Sequence, residues 1–559
     1  MIISRTNEGD KIYLSWRENG KKKHKTVSFA PYFYVDEDSR EPPSYKASKY
    51  ITRDFEYVRG NWVNLNGDKL KKVIVESSFD VSKAKNMFKR TYEADVPFHF
   101  RYAVDCIHDM PEYNLRKWYW DMEWQQGGEH HDKITTIVAY DNYDKKFTQW
   151  VWFPNKLECN IVDSPINKDE KQIGRKYTFD NEKDMIQSFM TTMVVKDPDM
   201  LIAWFGNFAD VPKLLDRACA LGLNPNIMSP IGTIKGVKKT KKGYSFAYAE
   251  KGFSQIEQPI GGRITLNLDL AFERQWNDSQ RGTLPSLALD YIGEIALNKK
   301  KLVSKKFSDT NEFYRRGWLE DTETYLEYAL KDVELIVELD EKNYCSDAIV
   351  SLQRLLKAPF DACFYASHMG SIYFMRNAWW KAPTGQRVEK RQEYEGAMIY
   401  DPLSEETNGL HFNVAAFDFA GLYPSMMIAR NISWETISEE PTAFGVNILT
   451  PRDFSETTQE QMVYFKTDKM GLLPKAVLEL KELRNDYKAK MKEARGKPNG
   501  EYMKWHNNQM AVKRLMASFY GIVAFQGFSW ANVTLAASIT ASAREAIRLA
   551  AFKAKELEV

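Results

Sequence analysis

The stretch WYWDMEW, residues 118–124, decides how the rest of the chain is read. Its apolar residues, four of them aromatic, suit a buried strand, and its two acids, Asp121 and Glu123, stand two apart. Side chains alternate between the faces of a strand, so both carboxylates point the same way. Like charges in an apolar run repel one another unless cations sit between them, and oxygen-only ligation suits magnesium or manganese. Taken by itself, the pair reads more often as strand acids exposed to water.

Working outward, TTIVAYD and FTQWVWF continue a β-rich pattern, and helical periodicity follows around residues 184–195 and again after Val211. Alternating strands and helices predict an α/β unit. Asp210 follows LIAWF, which reads as a buried strand. Asp332 lies on the helical run YLEYALKDVEL with Tyr328 one turn earlier, so phenol and carboxylate share a face. IGTIKGVKKTKKGYSF reads as a basic loop or hairpin.

In this order and context, the four acids resemble the 3'-to-5' exonuclease domain of family B DNA polymerases, which has a ribonuclease H-like fold. That family's D-x-E, its Asp before Val-Pro and its Y-x-x-x-D are matched by Asp121 and Glu123, by Asp210, and by Tyr328 with Asp332. The resemblance implies a site for two Mg or Mn ions on those acids, hydrolysis at a single-stranded 3' end, and an attacking water oriented by Tyr328. The family has an Asn five residues before the middle Asp and an aromatic just before it. This chain has Phe205 and Ala209 there, with Asn207 and Phe208 nearby as replacements after a local shift.

AAFDFAGLYPSMM, residues 415–427, reads as a buried strand ending in a Tyr-Pro turn, within a strand-rich region over 396–427. It resembles motif A of the same family. By that resemblance Asp418 and the Phe419 carbonyl are metal ligands, the backbone at Leu422 receives phosphate oxygens, and Tyr423 presses on the sugar and excludes a 2'-hydroxyl. Tyr394, Gly396 and Ala397 resemble the YxGG/A segment that contacts DNA.

Residues 475–495 and 501–520 read as two helices joined by GKPNG. Arg484 and Lys488 share a face, as do Lys513 and Tyr520. Folding back about Pro498 places Lys513 beside Leu483 and Arg484, and three converging cations need an anion such as a triphosphate. The hairpin resembles the fingers, and KRLMASFYG resembles motif B with Ala517 in place of its Asn. A solvated basic hairpin is the plainer alternative.

Composition agrees with a large globular protein. The chain has 559 residues, 43% hydrophobic and 13% aromatic, with no apolar run long enough to span a membrane. Its start lacks a signal peptide, so a cytoplasmic location is expected, the host's cytoplasm for a phage gene. Five cysteines without a CxxC pair exclude a disulfide framework and a zinc ribbon, leaving oxygen as the metal ligand. From residue 466 on there are 17 Lys and Arg against 9 Asp and Glu, in a chain of net charge +2. The basic charge is thus gathered where a polyanion would bind.

The expected architecture is α+β and multi-domain, with an exonuclease, a partial palm and helical fingers. An N-terminal domain covers 1–105, with 341–385 packing on it, and the exonuclease covers 106–340. The palm's first part covers 386–465, the fingers 466–530 and the start of the palm's second part 531–559. The family's Y-x-D-T-D-S motif and thumb have no counterpart in the sequence. YVDED, from Tyr34, matches the motif only superficially. The expected activity is therefore that of a DNA polymerase large part with proofreading, phage-like or archaeal in type, whether naturally split or truncated. Its partners would be primer-template DNA, deoxynucleoside triphosphates and a further C-terminal polypeptide, through which a sliding clamp would be reached. The alternative is a stand-alone exonuclease with a polymerase-derived scaffold.

Overall fold

Seven strands of the computed structural model form one sheet around the WYWDMEW stretch. Their order is Ile161–Asn167, Glu170–Phe179, Lys146–Trp152, Ile134–Asp141, Lys117–Trp124, Met200–Ala203 and Ile264–Asn267. The structure describes residues 1–154, 161–167, 170–248, 250–278, 282–302, 304–307, 309–386, 388, 391–398, 409–451, 458–497 and 499–557. Pro498, the expected pivot of the helical hairpin, and residues 399–408 of the expected strand-rich region lie outside them.

Lys117–Trp124 is central, antiparallel to Ile134–Asp141 and parallel to Met200–Ala203. Its alternation sorts two kinds of chemistry. Trp118 and Trp120 point to one face, where they pack with Trp150 around Phe189 of the helix Glu182–Lys196. Burying rings of this size stabilises the sheet by roughly 1.5–3 kcal/mol each. Tyr119, Asp121 and Glu123 point to the other face, which the helix Thr322–Asn343 covers. There the Tyr119 hydroxyl donates to Asp340 at 2.7 Å. Tyr325 and Thr135 exchange a hydrogen bond at 2.9 Å. The ladder is irregular between Ile134 and Thr136, opposite Glu123, and such a bulge re-aims the side chain it faces.

The chain divides into two compact units. The first joins Met1–Phe29 to Ile107–Asp361, so the opening strands group with the seven-stranded sheet. A buried ion pair of Arg17, on the strand Lys11–Glu18, with Asp199 ties them, and the Arg116 N–H donates to the same carboxylate at 2.9 Å. The basic segment forms a hairpin, Val237–Thr240 with Gly243–Phe246.

The second unit joins Ala30–Cys106 to Ala362–Val559. Of residues 341–385, those to Asp361 fall in the first unit and the rest in the second. Tyr32–Asp36, Glu56–Val63 and Lys69–Ile74 form a small antiparallel sheet. Asp36, the first acid of YVDED, accepts from the Tyr92 hydroxyl and from Arg90, both at 2.8 Å, and so has a structural employment. The long helices are Leu472–Glu493, Asn499–Ala524 and Val533–Glu556.

Two expectations in this unit need correction. Residues 409–421 form no strand and are almost wholly exposed, Asp418 included, because no neighbouring segment among the described residues supplies a ladder. The Tyr-Pro turn is instead the first turn of a helix, Leu422–Ala429, where Pro424 lacks only an N–H that has no intrahelical acceptor. Gly421 enters that helix at φ 72°, a conformation that favours glycine. Before the fingers-like helices, Phe444–Pro451 pairs antiparallel with Thr458–Phe465.

Candidate active site

The sheet face carrying Asp121 and Glu123 opens into a cleft of about 460 Å³ that also receives Asp210, Tyr328 and Asp332. Each acid arrives by a local rule. Asp121 and Glu123 share a strand face. Asp210 begins the helix Asp210–Ala220, whose N-terminal dipole favours an anion, and its carboxylate accepts the Met122 N–H from the adjacent strand. Tyr325, Tyr328 and Asp332 are buried along the inward face of Thr322–Asn343. Oxygens of Asp121, Glu123 and Asp332 lie within 4.8 Å of one another.

Crowding and burial together make these acids reluctant to ionise. Burial pushes the Glu123 carboxyl up to about 8, with Asp332 adding repulsion, and burial pushes Asp210 up to about 7. Asp121 is raised well above the usual carboxylate range by burial first and then by the charges of Asp210, Glu123 and Asp332. Asp332 is raised by burial against the pull of Lys301. Asp332 Oδ1 is buried and has no protein hydrogen-bond donor. An all-oxygen donor set with an orphaned carboxylate oxygen and mutual repulsion fits a hard divalent cation.

Sequence reasoning missed Lys301. Its ammonium lies 2.5 Å from Asp332 Oδ2 and 3.0 Å from the Tyr328 hydroxyl. Burial works against its charge, but the carboxylates of Asp332, Asp121 and Glu123 hold its pKa above the ordinary lysine value. Asp290, at the start of the helix Leu289–Leu297, accepts the Lys301 N–H at 2.7 Å. Three lysines stand in a row at 299–301, and nothing local singles out the third.

The expected shift of Asn207 and Phe208 into the site does not occur. Asn207 is buried, and its amide donates to the carbonyls of Ser254, Gln255 and Glu257 at 3.3, 3.2 and 2.7 Å. Phe205, 39% exposed, and Ala209 line the cleft themselves, with Trp204 beside Phe205.

In the other unit the structure brings together several residues of the polymerase-like motifs. The Tyr423 and Tyr520 rings lie 4.6 Å apart, and Tyr520 shares a hydrogen bond with the Tyr394 hydroxyl at 2.9 Å. Arg544 donates to the Gly396 carbonyl at 2.6 Å, while Ala397 is exposed. Arg484, then burial, then Lys513 push the Lys488 pKa down, so the three cations do converge. Their register differs from the expected one. Arg484 donates to Gln509 and the Tyr487 ring meets Trp505, because one helix ends at Glu493 and the next begins at Asn499, centring the turn before Pro498. Among the described residues, Asp418 belongs to no group of three metal-ligating side chains.

Known proteins match both units. Residues 111–270 match the family model "DNA polymerase family B, exonuclease domain", and residues 371–555 match "DNA polymerase family B". The "DNA polymerase" of Pyrococcus glycovorans is 25% identical over 483 residues, 84% of this chain and 54% of that protein. The "DNA polymerase delta catalytic subunit" of Candida albicans is 26% identical over 425 residues, 74% of this chain and 38% of that protein. The chain thus spans about half or less of the length of these relatives. The solved structure of the family B DNA polymerase from the archaeon Pyrobaculum calidifontis shares the fold, with a TM-score of 0.70 at 18% identity over 99% of this chain and 71% of that one. With one match spanning Asp121, Glu123 and Asp210 and the other spanning Asp418 to the last long helix, the chain carries a family B DNA polymerase exonuclease domain and a family B polymerase domain over those residues.

Proposed function

We propose that the chain removes nucleotides from single-stranded 3' ends of DNA as the proofreading part of a replicative DNA polymerase. The observation that carries this is the meeting of Asp121, Glu123, Asp210 and Asp332 with Tyr328 and Lys301 in one cleft. Asp121, Glu123 and Asp332, with Asp210 beside them, would hold two magnesium or manganese ions. When bound, these would lower the pKa of water and stabilise the leaving oxygen. Burial, then Glu123 and Asp332, keeps the Tyr328 phenol protonated, so it offers a hydrogen bond to the attacking water or the phosphate. Lys301 supplies a fixed positive charge beside the negative phosphodiester. Phe205 presents an apolar ring on which the terminal base can stack.

Residues 386–465, 466–530 and 531–559 are read as palm, fingers and the start of the second palm part. In that reading Asp418 and the Phe419 carbonyl are metal ligands. Leu422, Tyr423, Arg484, Lys488, Lys513 and Tyr520 receive the nucleoside triphosphate, and Tyr394, Gly396 and Ala397 contact DNA. A complete polymerase site then requires a further polypeptide that brings a second palm acid and the thumb, and through it a sliding clamp. Support comes from Leu410, Phe412, Val414 and Phe417, which are all exposed, Phe417 by 85%. Large apolar side chains left exposed along one short segment are ordinarily covered. The exposure of Asp418, apart from other acids, equally favours a second reading, an exonuclease whose polymerase part serves only to bind DNA. The cytoplasm, a phage host's included, is the expected compartment.

The test is degradation of a 3'-labelled single-stranded oligodeoxynucleotide by the purified chain with magnesium. Replacing Asp121 and Glu123 together with Ala should abolish it. Equal digestion by the double variant would dismiss the assignment. Salt-sensitive DNA binding without magnesium-dependent cleavage would leave a binding module instead.

A further inference from the structure

Tyr314, on the helix Thr310–Glu320, also lines the acid cleft, and no sequence motif marks it. Its hydroxyl lies 3.1 Å from that of Tyr328, and the two rings meet edge to face at 5.8 Å. The helix that carries it is well anchored. Phe313 is buried against Tyr325 and Tyr328, and the Tyr314 carbonyl accepts from Gln125 Nε2 at 3.3 Å.

Proton counting sets the direction of these bonds. A phenol has one proton to give and two lone pairs to offer. The Lys301 ammonium, 3.0 Å away, has only protons to give, so it occupies one lone pair of Tyr328. Tyr328 shares the cleft with Glu123 and Asp332, the latter one turn away on the same helix face, and these carboxylates are the strongest acceptors there, so the single Tyr328 proton is drawn to that side. What Tyr328 then offers Tyr314 is its second lone pair, so Tyr314 is the donor. Successive hydrogen bonds polarise one another, and two donations into Tyr328 make it a stronger donor in turn.

We propose that Tyr314 is a positioning residue for the exonuclease reaction: together with Lys301 it fills the acceptor side of the Tyr328 hydroxyl, so that the Tyr328 proton stays directed at the acids and at the phosphate held among them. This rests on the exonuclease reading above. Tyr314 itself need not touch DNA. Its loss would free the Tyr328 hydroxyl to turn its proton toward the vacated side, lowering the fraction of bound complexes poised to react.

The experiment uses the full chain, magnesium and a single-stranded oligodeoxynucleotide, with kcat and KM measured separately. Tyr314→Phe keeps the ring and its packing and removes one oxygen, and a thermal unfolding midpoint equal to the parent's checks that the fold is retained. The expected result is a kcat lowered roughly three- to tenfold at unchanged KM, the kinetic equivalent of one lost hydrogen bond. In a Tyr328→Phe background the same substitution should cost nothing more, because the two hydroxyls act as one unit. A Tyr314→Phe variant with the parent's kcat would overturn the proposal. So would a double variant slowed below Tyr328→Phe by the single variant's own factor. A parent chain that degrades no DNA with magnesium would instead defeat the exonuclease reading, a failure seen before any variant is compared.

Discussion

Lys301 and Asp332 meet at 2.5 Å across 31 positions of sequence, and their pairing places a half-buried cation at the rim of a group of four acids. The lysine takes Asp332 Oδ2 and leaves Oδ1 without a donor. One carboxylate thus serves two purposes, holding Lys301 with one oxygen and offering the other to a cation.

Replacing Lys301 with Ala should therefore slow 3'-end removal at saturating magnesium by about 10- to 100-fold, the range set by losing one charge-assisted hydrogen bond. Oligodeoxynucleotide degradation measures it. Activity within twofold of the parent would mean that the ammonium plays no part beyond neutralising Asp332.

The raised carboxyls make stability depend on pH. Glu123 sits at about 8 and Asp210 at about 7, against ordinary values of 4.5 and 3.8. Between those limits the folded chain holds protons that the unfolded chain has released. The stabilising contribution of these groups is complete below their ordinary values and is lost as pH rises through about 7 to 8. In the presence of a chelator, the unfolding midpoint should fall between pH 5.5 and 8.5 more steeply for the parent than for Glu123→Gln. Magnesium at pH 8 should raise the parent's midpoint. Identical slopes for parent and variant would contradict the shift.

Asp418→Ala should leave 3'-end degradation unchanged, because Asp418 belongs to the other compact unit. Primer extension should be absent from the chain alone, appear on adding a polypeptide that carries the second palm acid and thumb, and vanish again in Asp418→Ala. Extension by the unaccompanied chain would remove the need for a further polypeptide.

Arg17→Met should destabilise the first unit by about 3–5 kcal/mol, since it strands the buried Asp199 carboxylate without its partner. Denaturant unfolding followed by tryptophan fluorescence would show it. An unchanged midpoint would mean that Lys22, 3.6 Å from Asp199, takes over the charge.

The legible parts of the site were those encoded within one element. Strand alternation alone put Asp121 and Glu123 on a common face, and helical periodicity alone put Tyr328 beside Asp332. The convergence of Arg484, Lys488 and Lys513 was also legible, since both helices of the hairpin were, but its register was not, because register depends on where each helix frays and caps. The motif A segment was misread for a related reason: its alternation is that of a strand, yet a strand exists only where a neighbour completes its hydrogen bonds.

By itself, then, the sequence determined which side chains travel together, because periods of two and of 3.6 residues are properties of the backbone. Only the tertiary structure decided which faces meet: that the helix of Asp332 covers the strand of Asp121, that the third of three consecutive lysines enters the cleft, and that Asn207 is spent on three carbonyls instead of facing it. Those choices depend on contacts between segments far apart in the chain. Such contacts are selected by packing and charge across the whole unit, and no local pattern announces them.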